Sequence, residues 1–360
     1  MRILIANPFG IGDVLFSLPL IYAIREIDVK GFVGYLCNRR TEELVRSWTC
    51  LDGVEVFEKD EFRAAWRRSK KEGFQLLLEL CRTIRRERFD ILLDLSLGWH
   101  YGLGAALAGI PKRVGFDFRN RGRFLTHRMT LTGYHNQPVA EYYLKLLLML
   151  GWPIPPKVRA TFDLPESVGP EVEAYLSSRG LSQDRLIAIV PGGGASWGPH
   201  ARFKQWPPDR FAQVADRLSD RHPIKILLIG DSQEASLCRK VAAAMTRQTP
   251  TLVVQVPSLL LLAGLLKRCE LVIGNDSGPM HLAASIGTKT VALFGPVDGS
   301  VYGPLRIDPL NPSHRIVAKG LACRPCYQGF RFPPCPWDNA CLRQLEASEV
   351  VSAAESLLRG

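Results

Sequence analysis

The stretch LVIGNDSGPMHLAASIG, residues 271–287, decides the fold of this chain. Its first three residues form an apolar run, which is typical of a strand buried on both faces. The run from Met280 to Gly287 predicts a helix, and the turn between them is built of Asn, Asp, Ser, Gly and Pro. A further apolar run, TVALFG (290–295), follows. This order of strand, turn, helix and strand predicts a parallel sheet with a helix N-terminus at the carboxyl edge of its strands.

A helix N-terminus at that edge is suited to binding an anion, because its first N–H groups have no partners within the helix and its dipole is positive there. The side chain of Asp276 or Ser277 is equally suited to capping the helix. The stretch by itself leaves both interpretations open.

The composition is that of a globular protein large enough for two domains. Of its 360 residues, 46% are hydrophobic and 22% are charged. No apolar run approaches the roughly 20 residues of a membrane span, and the N-terminus lacks the pattern of a signal peptide. We therefore expect a cytoplasmic protein.

The net charge of +11 favours an acidic partner. Such a partner is a phosphorylated substrate, a nucleic acid or an anionic membrane face. The basic residues do not alternate with aromatic ones, and no zinc-finger or helix-turn-helix signature is present. We expect no nucleic acid partner.

Four of the nine cysteines lie close together in CRPCYQGFRFPPCPWDNAC, as Cys323, Cys326, Cys335 and Cys341. In a cytoplasmic chain such a cluster indicates a structural metal site before a disulfide. A local knot of thiols, oxidised in a purified sample, is the alternative.

Strands and helices alternate on both sides of a Pro-rich segment, residues 152–170, which we interpret as a linker. The pattern predicts an α/β fold of two Rossmann-like domains, 1–165 and 166–345, whose strands end at a central cleft. The final helix, within 346–360, is a candidate to pack back towards the N-terminal domain. We expect a monomer.

In the first half, the predicted strand leads into NPFGIGD. Gly10 and Gly12 allow the backbone to approach another group closely. Asp13 opens a helix predicted over residues 13–26, where it is suited either to capping or to accepting a proton from an acceptor hydroxyl.

In the second half, VPGGGASWGPHARFKQWP contains three consecutive glycines, Gly193 among them, after a predicted strand. They are suited to a phosphate-binding loop, although the Walker pattern is absent. Lys204 is either a surface lysine or a cation that neutralises a leaving diphosphate. Asp231 and Glu234 follow the next strand. A carboxylate at this place either interacts favourably with a helix dipole or accepts hydrogen bonds from the hydroxyls of a ribose.

The order of these motifs resembles glycosyltransferase family 9, the lipopolysaccharide heptosyltransferases, over nearly the whole chain. The resemblance is sharpest at IGNDSGPMHLAASIGTKTVALFGPVDGSVYGP, residues 273–304. It implies the GT-B fold, with the acceptor on the N-terminal domain and the nucleotide-sugar on the C-terminal domain. It also implies ADP-heptose as the donor substrate, and a lipopolysaccharide core or another surface glycan as the acceptor.

The resemblance assigns roles to individual residues. Asp13 is similar to the catalytic base, with Gly12 beside it on the acceptor side, and Lys204 is similar to the residue at the donor diphosphate. The implied donor site consists of Gly193, Glu234, Asp276, Ser277, Gly278 and His281. Within it, we expect backbone N–H groups near Ser277 to bind phosphate and Asp276 to bind sugar hydroxyls, because two anions in contact repel each other. His281 is either a phosphate or loop ligand or a core histidine.

The acceptor side is predicted to be basic. Arg119, Arg121 and Arg123 lie in a predicted loop and are candidates for an anionic glycolipid. A second basic run, residues 62–71, lies in a long helix predicted over residues 61–88, and it is equally typical of a solvated helix face. Such groups would also hold the protein at the anionic inner face of the inner membrane.

The hypothesis is an inverting sugar transfer that requires no cofactor and no divalent ion. Two alternatives remain: a GT-B enzyme that epimerises or hydrolyses a nucleotide-sugar, and a nucleotide-sugar-binding protein without catalytic activity.

Overall fold

The computed structural model describes residues 1–247, 251–254, 256–305 and 313–359. The chain divides into two units, Met1–Arg159 and Ala160–Gly360. The division falls inside the Pro-rich segment, slightly before the boundary that we expected after residue 165.

The first unit is built on a parallel sheet in the strand order β3-β2-β1-β4-β5-β6. Its strands are β1 (Arg2–Ala6), β2 (Phe32–Cys37), β3 (Gly53–Val56), β4 (Ile91–Asp94), β5 (Lys112–Asp117) and β6 (His127–Thr130). The central strands β1 and β4 are almost entirely buried, as their apolar sequences require in a sheet covered on both faces. Strands β3 and β6 lie at the edges, and both are short runs that the sequence pattern did not predict.

The helices of the first unit are α1 (Ile11–Leu15), α2 (Leu18–Ile27), α3 (Arg39–Arg46), α4 (Lys59–Arg68), α5 (Lys70–Arg86), α6 (Trp99–Leu107) and α7 (Val139–Leu148). The helix expected over residues 13–26 is two helices, and Pro19 lies in the first turn of the second, where a missing N–H costs little. The long basic helix expected over 61–88 is also two. It breaks at Ser69, whose hydroxyl caps α5 by accepting from the Glu72 N–H.

The second unit has its own parallel sheet, in the order β12-β11-β10-β7-β8-β9. Its strands are β7 (Arg185–Val190), β8 (Ile224–Ile229), β9 (Thr251–Val254), β10 (Leu271–Asn275), β11 (Thr290–Leu293) and β12 (His314–Val317). Every residue of β10 is buried, which confirms that the apolar run at 271–273 belongs to a strand buried on both faces. The expected strand TVALFG is β11, and it pairs directly with β10.

The helices of the second unit surround this sheet. They are α8 (Val168–Ser177), a 3₁₀ segment (Ala195–Lys204), α9 (Pro208–Arg221), α10 (Ala235–Ala244), α11 (Leu259–Arg268), α12 (Gly278–Ser285), α13 (Gly299–Tyr302), α14 (Ala340–Arg343) and α15 (Ala347–Leu358).

Helix α15, which we considered as a separate segment directed towards the N-terminal domain, has its apolar face in the core of the second unit. Val350, Ala354 and Leu357 pack there with residues of α9, β10 and β11. Ion pairs of Arg221 with Glu355 and of Lys319 with Glu349 flank this face. The helix is therefore part of the second unit's core.

The strand order brings the candidate loops of each unit to one edge of its sheet, because parallel strands end at the same edge. In the first unit, the loops after β1, β4 and β5 come from neighbouring strands. In the second unit, the same holds for the loops after β8, β7 and β10. These edges carry the candidate site residues.

Candidate active site

The turn between β10 and α12 forms the centre of the site in the second unit. Ser277 is the residue that precedes the helix, in an extended conformation (φ −152°, ψ 164°), and its side chain makes no capping hydrogen bond. Within the described residues, the buried Ser277 hydroxyl has no hydrogen-bond partner at all. Neither candidate side chain caps α12, so the capping interpretation is not the one that the structure adopts. Instead, the first N–H groups of α12 and the Ser277 hydroxyl lie side by side.

A buried ion pair lies directly beside this turn. The Lys204 ammonium is 2.8 Å from Asp276 Oδ2, and the two side chains are 3% and 8% exposed. The other carboxylate oxygen, Oδ1, lies 3.2 Å from His281 Nε2. Burial alone would raise the pKa of Asp276, but the attraction of Lys204 and His281 outweighs burial and holds this pKa below its usual value. The structure thus brings three predicted site residues into one buried group.

The contacts of Asp276 bear on its expected role. Both of its oxygens already have protein partners, Lys204 and His281. This arrangement favours a carboxylate that fixes a cation and an imidazole ring, rather than one that is open to sugar hydroxyls. The Lys204 ammonium, although paired with Asp276, also lies beside the turn, and its remaining N–H bonds are able to donate to an anion there.

Two further residues hold Lys204, and we did not single out either one from the sequence. The Trp197 ring lies under the ammonium, with Nζ 4.4 Å from the ring centroid. Asn275, fully buried at the end of β10, accepts a hydrogen bond from the N–H of Trp206 and donates one to the carbonyl of Pro191. It therefore ties the segment that carries Lys204 to the ends of β7 and β10. The position of Asn275 directly after a buried strand was the available signal.

The glycine loop after β7 is shaped by its neighbours. A Cβ at Gly192 would lie 2.0 Å from Glu234 Oε1, and one at Gly193 would lie 2.2 Å from the carbonyl oxygen of Ala201. The N–H of Gly194 donates to Glu234 Oε1 at 3.4 Å, and burial raises the pKa of Glu234. Gly194 also approaches Ser277, because a Cβ there would lie 3.9 Å from Ser277 Cβ. The glycine loop and Glu234 therefore lie beside the α12 turn.

The neighbouring acid, Asp231, has a local role. Its Oδ1 accepts hydrogen bonds from the N–H groups of Gln233 and Glu234. These bonds shape the turn before α10 and direct Glu234 towards the glycine loop.

In the first unit, Gly12 and Asp13 lie on the short helix α1, directly after β1. Asn7 anchors this turn, because its side-chain amide donates to the carbonyl of Asp13 at 3.0 Å. Asp13 is half-buried, at the carboxyl edge where a proton acceptor for a bound hydroxyl was expected. Burial raises the pKa values of the Tyr35 and Tyr143 phenols, and the Asp13 carboxylate adds a smaller contribution in the same direction.

The predicted basic loop follows β5 at the same edge. Arg119 lies over the Phe118 ring, 4.8 Å from its centroid, and Arg123 lies 5.5 Å from that of Trp99. Stacking of this kind orients a guanidinium while its N–H groups stay exposed. Trp99 begins α6, directly after the loop that follows β4, and the sequence analysis did not identify it.

The four terminal cysteines line one cavity, together with Phe203 and Phe332. All four are free thiols. Burial raises the pKa of Cys341 to about 11 and also raises that of Cys326. Within the described ranges, no three His, Cys, Asp or Glu side chains converge in a way that could hold a metal ion. The structure gives the predicted metal site no support.

Comparisons with known proteins show the family of this chain. The model of glycosyltransferase family 9 (heptosyltransferase) matches residues 77–331. Lipooligosaccharide heptosyltransferase 2 of Campylobacter jejuni is 32% identical over 178 residues, which span about half of each chain, 49% of this one and 51% of the relative. Lipopolysaccharide heptosyltransferase 2 of Escherichia coli is 26% identical, with 91% of this chain and 93% of the relative aligned.

Among solved structures, the ADP-heptose lipopolysaccharide heptosyltransferase II of E. coli matches with a TM-score of 0.76 at 20% identity, over 100% of this chain and 99% of that one. This likeness confirms the predicted GT-B fold. Within the described part of the chain, no helix is both long and apolar enough to span a membrane. Because the family model covers well over half of the sequence, the chain belongs to glycosyltransferase family 9, the heptosyltransferase family.

Proposed function

We propose that this protein transfers a heptose from ADP-heptose to an anionic lipopolysaccharide core or a related surface glycan, with inversion at the anomeric carbon. The observation that carries the proposal is the group at the N-terminus of α12. There, the buried Lys204 ammonium lies 2.8 Å from Asp276, beside a Ser277 hydroxyl that has no partner within the described residues. The relatives named above are heptosyltransferases, which supports heptose as the sugar.

The donor diphosphate binds at the α12 turn in this proposal. The N–H groups of Ser277 and Gly278, the Ser277 hydroxyl and the positive end of the helix dipole meet its oxygens. Glu234 accepts hydrogen bonds from the ribose hydroxyls, and the missing side chain of Gly192 leaves room for it. Lys204 supplies a full positive charge, so the protein itself neutralises the diphosphate and no divalent ion is required.

The reaction is a displacement at the anomeric carbon. Asp13 removes the proton from the acceptor hydroxyl as the oxygen forms its bond to that carbon. The bond between the carbon and the diphosphate oxygen breaks on the opposite face, and ADP leaves with the electron pair. Lys204 and the α12 turn stabilise the negative charge that develops on the leaving oxygen.

The acceptor is recognised by charge. Arg119, Arg121 and Arg123 bind phosphates or acidic sugars of the acceptor, and the Phe118 and Trp99 rings orient two of them. The same basic groups hold a monomeric enzyme against the anionic inner face of the inner membrane, where such a glycolipid would be found.

Calorimetric titration with ADP, UDP and GDP, combined with a transfer assay in the presence of a chelator, tests the proposal. We expect selective binding of ADP and transfer of heptose only when the acceptor is present. Consumption of the donor without acceptor would identify an epimerase or hydrolase. Binding without any product would identify a non-catalytic protein, and failure to bind any of the three would refute the donor site.

A further inference from the structure

We propose that Trp197 is a positioning residue for Lys204, and that the segment carrying the four terminal cysteines, residues 323–341, holds Trp197 in place. The proposal rests on the proposed function, because Lys204 acts on the leaving diphosphate. It adds residues that lie outside the motifs from which that function was inferred.

A buried lysine beside a diphosphate needs to be held, because its four-carbon stem is flexible. Asp276 fixes the Lys204 ammonium from one side, at 2.8 Å. The Trp197 ring fixes it from another, with its centroid 4.4 Å from Nζ. A carboxylate restrains the distance of an ammonium, whereas a ring face also restrains the side from which it approaches. The ring thus sets the direction in which Lys204 points.

The backbone around Trp197 does little to hold the ring. Trp197 lies in the 3₁₀ segment, which is interrupted at Gly198 (φ +53°, ψ −131°) and preceded by Gly194 at φ +89°. Such a segment has poorer hydrogen-bond geometry than an α-helix, so side-chain contacts decide where its residues lie.

Those contacts come from the cysteine segment. The Trp197 ring meets Tyr327 edge-on and Phe332 at a tilt, each with a centroid distance of 5.1 Å. Tyr327 and Phe332 are themselves 4.7 Å apart. Phe332 also approaches the rings of His200 and Phe203 at 6.1 and 6.0 Å. We call these five residues, Trp197, His200, Phe203, Tyr327 and Phe332, the aromatic cluster.

The cysteine segment is anchored to the sheet that carries the site. The N–H groups of Cys326 and Tyr327 both donate to the carbonyl of Pro296, just beyond β11. The Arg324 guanidinium donates to the carbonyls of Gly295 and Val297 in the same stretch. Because β11 pairs with β10, the segment is fixed relative to Asp276.

The four thiols lie next to the aromatic cluster. The cavity that they line is shared with Phe203 and Phe332 of the aromatic cluster, and Phe203 immediately precedes Lys204 in the chain. A change in the cavity therefore reaches Lys204 both through the chain at Phe203 and through Phe332 and Trp197.

Steady-state transfer kinetics on four single variants test the proposal. We expect Trp197→Leu and Phe332→Ala to lower kcat about tenfold or more, with the KM for the donor changed less than about threefold. Trp197→Phe keeps a ring face and should retain kcat within about threefold. The control is Tyr175→Leu, a matched change of an aromatic ring to leucine on α8 of the same unit, because Tyr175 belongs neither to the lining of the cavity nor to the aromatic cluster. It should behave like the wild type.

A double variant separates positioning from a general structural role. In a Lys204→Ala background, adding Trp197→Leu should cause no further loss, because the residue that Trp197 positions is gone. Wild-type kcat in Trp197→Leu would overturn the proposal. So would an equal loss in Trp197→Phe, or a full additional loss in the Lys204→Ala background. If the wild type transfers no heptose at all, it is the proposed function that fails.

Discussion

Removing the charge of Asp276 should destabilise the second unit strongly, because it leaves a buried ammonium without its counter-ion. Lys204 is only 3% exposed, and its ion-pair partner is Asp276 at 2.8 Å. Breaking a buried pair by removing one partner costs about 3–5 kcal/mol of unfolding free energy. For a unit of this size, that corresponds to a melting temperature lower by about 6–20 °C. We therefore expect a large loss of stability in Asp276→Asn.

Urea unfolding of the wild type, Asp276→Asn, Lys204→Met and the double variant measures this effect. A double-mutant cycle then isolates the interaction between Asp276 and Lys204, for which we expect a coupling energy of at least about 2 kcal/mol. The double variant should be more stable than Asp276→Asn, because it buries no unpaired charge.

The control is an ion pair of the same unit that is largely exposed. Arg185 and Glu270 are 2.7 Å apart, but their side chains are 46% and 35% exposed. Glu270→Gln should cost less than about 1 kcal/mol. If Asp276→Asn cost no more than Glu270→Gln, with no coupling between Asp276 and Lys204, the description of a buried and mutually dependent pair would be refuted.

Four further predictions concern the site and the sheet of the second unit. Asp13→Asn should lower transfer about 10²–10⁴-fold while ADP binding, measured by calorimetry, stays unchanged; full activity would exclude Asp13 as the base. Ser277→Ala should weaken ADP binding about two- to tenfold, but leave the melting temperature unchanged, since its hydroxyl has no partner within the described residues. Arg123→Ser should raise the KM for an anionic acceptor and reduce its dependence on salt, and a KM that is insensitive to salt in the wild type would contradict recognition by charge. Burial lowers the pKa of His314 from 6.5 to about 4, so the unfolded chain binds a proton first as the pH falls. Stability should therefore be full above about pH 6.5 and decrease by about 3 kcal/mol towards pH 4, a loss that is absent in His314→Gln when unfolding is measured across this range.

The sequence predicted the features that depend on local pattern. The apolar run at 271–273, the turn and the helix ending at Gly287 appear as β10 and α12 because alternation of strand and helix specifies a parallel sheet. The order of the motifs predicted the family, which is confirmed. Family membership also confirms the predicted class of enzyme, a glycosyltransferase.

The features that escaped prediction depend on which side chains meet in space. Ser277 and Asp276 were both acceptable caps by residue type, and only the packed structure shows that Asp276 instead pairs with Lys204 from a distant segment. The role of Trp197 could not be predicted from the sequence. A tryptophan in a glycine-rich loop shows the same sequence pattern whether its ring packs beneath a lysine or is exposed to solvent. The break at Ser69 was missed because the basic run on either side of it favours helix equally well.

The position of α15 has a consequence for the order in which the protein matures on the ribosome. The first unit ends at Arg159, so its core is complete while the rest of the chain is still being made. The second unit needs α15 to cover α9, β10 and β11, and Lys289 of that unit donates to the carbonyl of Leu357. Its core therefore stays open until residues 347–358 have been synthesised. A nascent chain would therefore complete the core of its first unit before that of its second unit, which waits for α15.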